Sequence, residues 1–162
     1  MRDNSKAGGK NTNLSGLSFE DEVFSRLDSD FLLENEIELF PKHSLYRWLT
    51  EIDCEINIKD IVSKKLLPDN AFYSARHNVL HIIEVKNQLR SGSVDEKIQT
   101  CGFKLRQYRK ILSHYIPDIK IKFSYILSDW FKRDEYLDSL EYIEECDCNF
   151  YFNSIPKEEL IA

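Results

Sequence analysis

Three side chains in the stretch LLPDNAFYSARHNVLHIIEVKNQ, Leu66–Gln88, have the types and spacing for chemistry: Asp69, Glu84 and Lys86. The stretch reads as a β-hairpin, with strands over Asn70–Ala75 and Val79–Lys86 that turn around Arg76-His77-Asn78. Side chains alternate along a strand, so Glu84 and Lys86 share one face. A two-residue turn at Arg76-His77 sets Asp69 opposite Glu84. A turn at His77-Asn78 sets it opposite Lys86. Both registers gather the three groups on one face, whereas a loop one residue longer or shorter, without a bulge, turns Asp69 away.

Two carboxylates this close repel, and one pKa rises sharply unless something compensates. A divalent cation compensates best. Asp69, Glu84 and the backbone carbonyl of Val85 are hard oxygen donors of the kind Mg²⁺ takes, with Mn²⁺ as a substitute and waters completing the shell. Such a metal polarises a phosphoryl oxygen and acidifies an attacking water. Lys86 is then placed to orient the water, to act as its base if its pKa is lowered, or to stabilise charge on a phosphate. The plain alternative is a buried ion pair of Lys86 with Glu84 or Asp69 and no chemistry.

The elements around the hairpin supply a further acid. In LSFEDEVFSRL, Ser18 is suited to be an N-cap, and Phe19, Val23, Phe24 and Leu27 form one apolar face at 100° per residue. Glu20 falls inside that stripe, which is costly for a carboxylate without a partner. FPKHSLYRWLTEI holds a second helix. CEINIKDIVSKKLL reads as a strand followed by a turn or short helix. SVDEKIQTCGFKLRQYRKILSHY is the clearest helix, with Val94, Ile98, Cys101, Leu105, Tyr108 and Leu112 on one face. IKIKFSYILSD is a strand, RDEYLDSLEYIEE a helix and CNFYFNSI a final strand. The order predicts an α/β fold with a central mixed sheet flanked by helices.

The 162 residues fit one domain over 17–162, preceded by a flexible polar arm over 1–16 that contains Lys6 and Lys10. No apolar run is long enough to span a membrane, and the N-terminus lacks a signal-peptide core, so a cytoplasmic protein is expected. The four cysteines, Cys54, Cys101, Cys146 and Cys148, lack paired zinc-type spacing and are expected to be reduced thiols. Trp48 and Trp130 are expected to anchor the core. His77 and His81 lie too close together for a ββα-metal nuclease motif.

The net charge is −6, but it is unevenly spread. Between Lys97 and Arg133 stand nine Lys/Arg against two acids, and from Asp134 to the end nine acids against one lysine. The basic block is where an anionic polymer would be held. Gln99, Phe103, Arg106 and Lys110 share the helix face opposite the apolar one, with Lys97 and Lys104 beside it. The basic side chains suit phosphates, and Gln99, Arg106 or Gln107 suit base edges. An ordinary solvated helix face is the competing reading.

LLPD followed by IIEVKNQ resembles the PD-(D/E)XK nuclease superfamily, with Pro68-Asp69 and Glu84-Val85-Lys86 as the motif. More narrowly, NTNLSGLSFE, KKLLPDNAF, IIEVKNQ, GSVDEKIQTCGFKLRQY and SDWF resemble small type II restriction endonucleases and their phage and bacterial relatives. The resemblance implies a restriction-endonuclease-like αβββαβ core and Mg²⁺-dependent cleavage of double-stranded DNA. It implies metal binding by Asp69 and Glu84, a catalytic Lys86, and a further acid matched by Glu20. Gln88 matches a polar position that follows the motif in several branches and is grouped with the DNA-binding residues. A site-specific enzyme of this kind implies a homodimer and a cognate DNA methyltransferase encoded nearby. The alternatives are a structure-specific nuclease, such as a junction resolvase or phage repair enzyme, and a non-catalytic DNA-binding or interaction module on the same fold.

Overall fold

The Val79–Lys86 run carries apolar residues on both sides, Leu80 and Ile82 on one and Val79, Ile83 and Val85 on the other, because it becomes a central strand covered on both faces. The computed structural model describes residues 7–90, 92 and 94–162, and for residues 7–15 the backbone alone. Among these residues, one mixed sheet contains β1 (Ile37–Leu39), β2 (Asn70–Ser74), β3 (Val79–Lys86), β4 (Lys120–Leu127) and β5 (Asn149–Phe152), hydrogen-bonded in that order. The short turn between β2 and β3 makes that pair antiparallel, as β1 and β2 are. Helical crossovers make β3–β4 and β4–β5 parallel.

The helices are α1 (Ala7–Ser25), α2 (Ser29–Glu34), α3 (Ser44–Ile52), α4 (Ile58–Ile61), α5 (Val94–Lys97), α6 (Cys101–Leu112) and α7 (Leu137–Glu145). A 3₁₀ turn, Ile98–Thr100, joins α5 to α6. With α2, α3 and α4 set aside, the order is helix, three strands, helix, strand, then a last helix and strand. This is the α/β mixed-sheet architecture expected from the sequence.

The strand period of two divides the core. Ala71, Leu80, Ile82, Phe123, Tyr125 and Leu127 point to the face covered by α3, α6 and α7. Phe72, Ile83, Val85 and Ile126 point to the other, against Val23 of α1 and Leu160 near the C-terminus. The buried side of α6 is Cys101, Leu105, Tyr108, Ile111 and Leu112, which matches the expected stripe and adds Ile111. Trp48 stacks on Phe40 with ring centroids 4.5 Å apart, and the Trp130 indole N–H donates to the Tyr136 hydroxyl at 2.6 Å. Both tryptophans sit at the margin of the core rather than inside it.

Two local expectations need correction. The strand expected in CEINI does not form: Asn57 instead caps α4, its side chain accepting from the Lys59 N–H. The edge strand comes from Ile37–Leu39, whose three residues are too few to show an alternation. Ser18 is not an N-cap, because α1 begins at Ala7. The residues from Ala7 to Gly16 include three glycines and several Asn and Ser, weak helix formers that hide the helix from a propensity reading. Residues 1–6 of the polar segment, with Lys6, lie outside the described residues, as does the side chain of Lys10.

Candidate active site

The site depends on one turn. Ala75–Asn78 closes the hairpin with the Asn78 N–H donating to the Ala75 carbonyl at 3.3 Å. Asn78 adopts φ 50°, a left-handed conformation that asparagine tolerates better than most residues. Its carbonyl accepts from the Lys120 N–H at 2.9 Å, which ties the turn to β4. Ser74 then pairs with Val79 and Asn70 with Ile83. One residue further, Asp69 stands level with Glu84, the first of the two registers anticipated from the sequence.

The three motif side chains meet. Asp69 Oδ2 accepts from the Val85 N–H at 2.7 Å, so the hairpin itself fixes the carboxylate. Lys86 Nζ lies 2.9 Å from Glu84 Oε2, 3.4 Å from Asp69 Oδ2 and 3.2 Å from the Val85 carbonyl oxygen. The Glu84 side chain is 6% exposed, Lys86 15% and Asp69 26%, so the cluster runs from a closed floor to an open rim. Below the ammonium lies the Tyr125 ring, 5.9 Å from Nζ to its centroid.

A fourth member comes from α6. Lys104 Nζ donates to Glu84 Oε2 at 2.5 Å and also lies 5.9 Å from the Tyr125 ring centroid. Grouping Lys104 with the solvent-facing basic residues missed this. Helical spacing carried the signal: Lys104 is three residues after Cys101 and four before Tyr108, both buried, so it borders the apolar stripe of α6 much as Glu20 intrudes into that of α1.

Burial alone would push the Glu84 carboxyl up, but Lys86 and Lys104 outweigh it and hold it below the usual carboxylate range. Burial likewise works against a charged Lys86, yet Glu84 and then Asp69 outweigh it and raise its pKa. In this arrangement Lys86 is a cation, not a lysine poised to act as a base. Glu20 is mostly buried and pairs with Lys42, Nζ to Oε1 3.5 Å. Its carboxyl is pushed up, first by burial and then by the nearby negative charge of Asp69. The acid from the first helix therefore approaches the site on the Asp69 side, but its bonded partner is Lys42.

The residues grouped for DNA binding do not converge there. Gln99, Phe103, Arg106 and Lys110 are exposed, Phe103 by 61%. At 100° per residue they lie about 100–160° around the helix from Lys104. Gln99 turns towards α7, its Nε2 3.4 Å from Ser139 Oγ. Gln88 is 5% exposed and faces inward: its Nε2 donates to Asp95 Oδ1 at 2.7 Å and its N–H to Ser128 Oγ at 3.3 Å. Asp95 Oδ1 also accepts from the Tyr136 hydroxyl at 2.6 Å. Gln88 thus braces the end of β3 instead of presenting its amide to a surface ligand.

As a cation site, the donor chemistry fits. Asp69 Oδ2, Glu84 Oε2 and the Val85 carbonyl oxygen all lie within 3.4 Å of one point, where an ammonium is satisfied by oxygen atoms alone. That is the donor type a hard divalent ion takes. Among the described residues no cluster of three or more His, Cys, Asp or Glu side chains is placed to hold a metal. The cysteines are free thiols, as expected.

No protein-family model and no curated protein matches the chain. Among solved structures it is similar to MunI restriction endonuclease in complex with cognate DNA. The match spans 92% of this chain and 91% of that one, at 14% identity and a TM-score of 0.45. No residue role follows from a likeness of that size.

Proposed function

We propose that this protein is a Mg²⁺-dependent endodeoxyribonuclease that hydrolyses phosphodiester bonds of double-stranded DNA, of the site-specific type II restriction kind. The observation that carries the reading is the convergence of Asp69, Glu84 and the Val85 carbonyl on one point at the end of a central strand. These three groups would hold the metal. When bound there, it supplies Lewis-acid polarisation of the phosphate and a more acidic water nucleophile. Among the described residues, no helix is long and apolar enough to cross a membrane.

The remaining steps fall to the chain. Val85 N–H fixes one oxygen of Asp69 and so orients the carboxylate. Lys86, kept charged by its two carboxylate neighbours, suits stabilisation of negative charge on the phosphate in the transition state better than proton abstraction. Cutting both strands calls for two sites, hence a homodimer. A DNA methyltransferase encoded nearby would fit the restriction reading.

The test is incubation of the purified protein with plasmid, genomic and branched DNA in Mg²⁺ or Mn²⁺, with mapping of the ends. Discrete plasmid fragments are expected. Cleavage at junctions alone would favour a structure-specific nuclease. No cleavage of any substrate would leave a binding module on the same fold.

A further inference from the structure

Lys104 is a charge that the nuclease reading does not use. Its ammonium approaches the same Glu84 oxygen as Lys86, and its side chain is only 18% exposed. Lys86 is shared by both carboxylates and the Val85 carbonyl, whereas among the described ion pairs Lys104 serves Glu84 alone. With Asp69 and Glu84 negative and both lysines positive, the cluster has no net charge. A divalent cation arriving at an electroneutral, half-closed site gains little attraction. It must also take Glu84 Oε2 from the ammonium groups that now occupy it.

We propose that Lys104 is a positioning residue that acts as an internal counter-cation: it holds Glu84 in place and weakens divalent-metal binding until it releases that carboxylate. The proposal rests on the metal reading of Asp69 and Glu84. Lys104 stands on α6, apart from the hairpin that carries the motif, so it can move away while Asp69, Glu84 and Lys86 keep their register. The phosphate backbone of DNA is a natural acceptor for the released ammonium. Metal and substrate binding would then favour each other.

The experiment titrates Mn²⁺ into the full-length protein without DNA and follows free Mn²⁺ by electron paramagnetic resonance. Wild type, Lys104→Met, Lys104→Arg and Glu84→Gln are compared, with circular dichroism to establish folding. Lys104→Met should bind Mn²⁺ about tenfold more tightly than wild type, because removing one cation leaves a net negative site. Lys104→Arg should stay within about threefold of wild type, since it restores the charge. Glu84→Gln should lose binding. Unchanged or weaker binding by folded Lys104→Met, with Glu84→Gln still defective, overturns the role of Lys104 and leaves the metal reading standing. Equal binding by Glu84→Gln and wild type overturns both. If Lys104→Met does not fold, Lys104→Gln provides the same comparison.

Discussion

The two faces of β3 carry two polar clusters built on opposite principles. On the α6 face, Glu84 and Lys86 join Asp69 and Lys104 in a knot of four charges, open to solvent at the Asp69 end. On the α1 face, His81 is fully buried, its Nε2 2.7 Å from Ser124 Oγ and its Nδ1 3.1 Å from the Glu159 carbonyl oxygen. There the ring has two partners for its two nitrogens and needs nothing further. The charged cluster is different. Its members satisfy one another at one rim of the sheet, where a ligand can exchange for any of them. A completed neutral network fixes structure, whereas a cluster of exchangeable charges can be converted to function.

The largest expected effect breaks the charged side. Asp69→Asn and Lys86→Ala should each lower DNA cleavage by at least about a hundredfold, the scale for losing an electrostatic group at a reacting phosphate. Both should stay folded. In Asp69→Asn the side-chain amide would still offer an oxygen to the Val85 N–H, and in Lys86→Ala Glu84 would keep Lys104. Glu84→Ala differs, because it strands the Lys104 ammonium and leaves Lys86 only Asp69 and the Val85 carbonyl, and it should cost about 3 kcal/mol of stability. Cleavage assays beside chemical denaturation separate the two kinds of loss. Normal cleavage by both Asp69→Asn and Lys86→Ala would remove the functional side of the contrast.

The next effect breaks the sealed side by acid. Burial, reinforced by nearby Lys122, lowers the His81 pKa from 6.5 to about 4. A base with a depressed folded pKa favours the native state above its unfolded pKa, so this contribution is lost as pH falls from about 6.5 towards 4. The drop should approach about 3 kcal/mol. Glu84 is a depressed acid, and its contribution is full above its ordinary value of 4.5 and is lost only as the pH falls from there towards its own lowered pKa. The His81 face should therefore weaken first on acidification. Denaturation curves at pH 7 and pH 4.5 should show a smaller fall for His81→Gln than for wild type. Equal falls would mean that His81 is not the group that titrates.

The hairpin was legible because alternation and turn chemistry act locally. Asp69, Glu84 and Lys86 needed only strand parity and a loop length to be placed together. What was not legible depended on other elements. Lys104 reaches Glu84 only because α6 packs across that face of the sheet, and Gln88 turns inward because Asp95 and Ser128 wait there. A position after the motif placed Gln88 near the site but could not say that its side chain turns into the interior there. The basic stripe on α6 illustrates the same limit, since helical period separates faces without saying which one borders the site.

The smallest effect tests where the charged cluster ends. Glu20 faces partly inward, and burial together with the charge of Asp69 raises its carboxyl despite Lys42. An acid with a raised folded pKa contributes its full stability below the unfolded pKa, near 4.5, and loses it as pH rises through the folded value. Ionised Glu20 is therefore a net cost to the fold at neutral pH. Glu20→Gln should then be as stable as wild type or slightly more so at pH 7, with the gain vanishing by about pH 4. If Glu20 belongs to the site, the same change should lower cleavage by about tenfold, so stability and activity move in opposite directions. If cleavage is unchanged while stability rises, Glu20 is only a strained neighbour, and the site ends at Asp69. If stability falls, the Lys42 pair outweighs the burial, and Glu20 belongs with the satisfied groups that hold the fold rather than with the exchangeable charges.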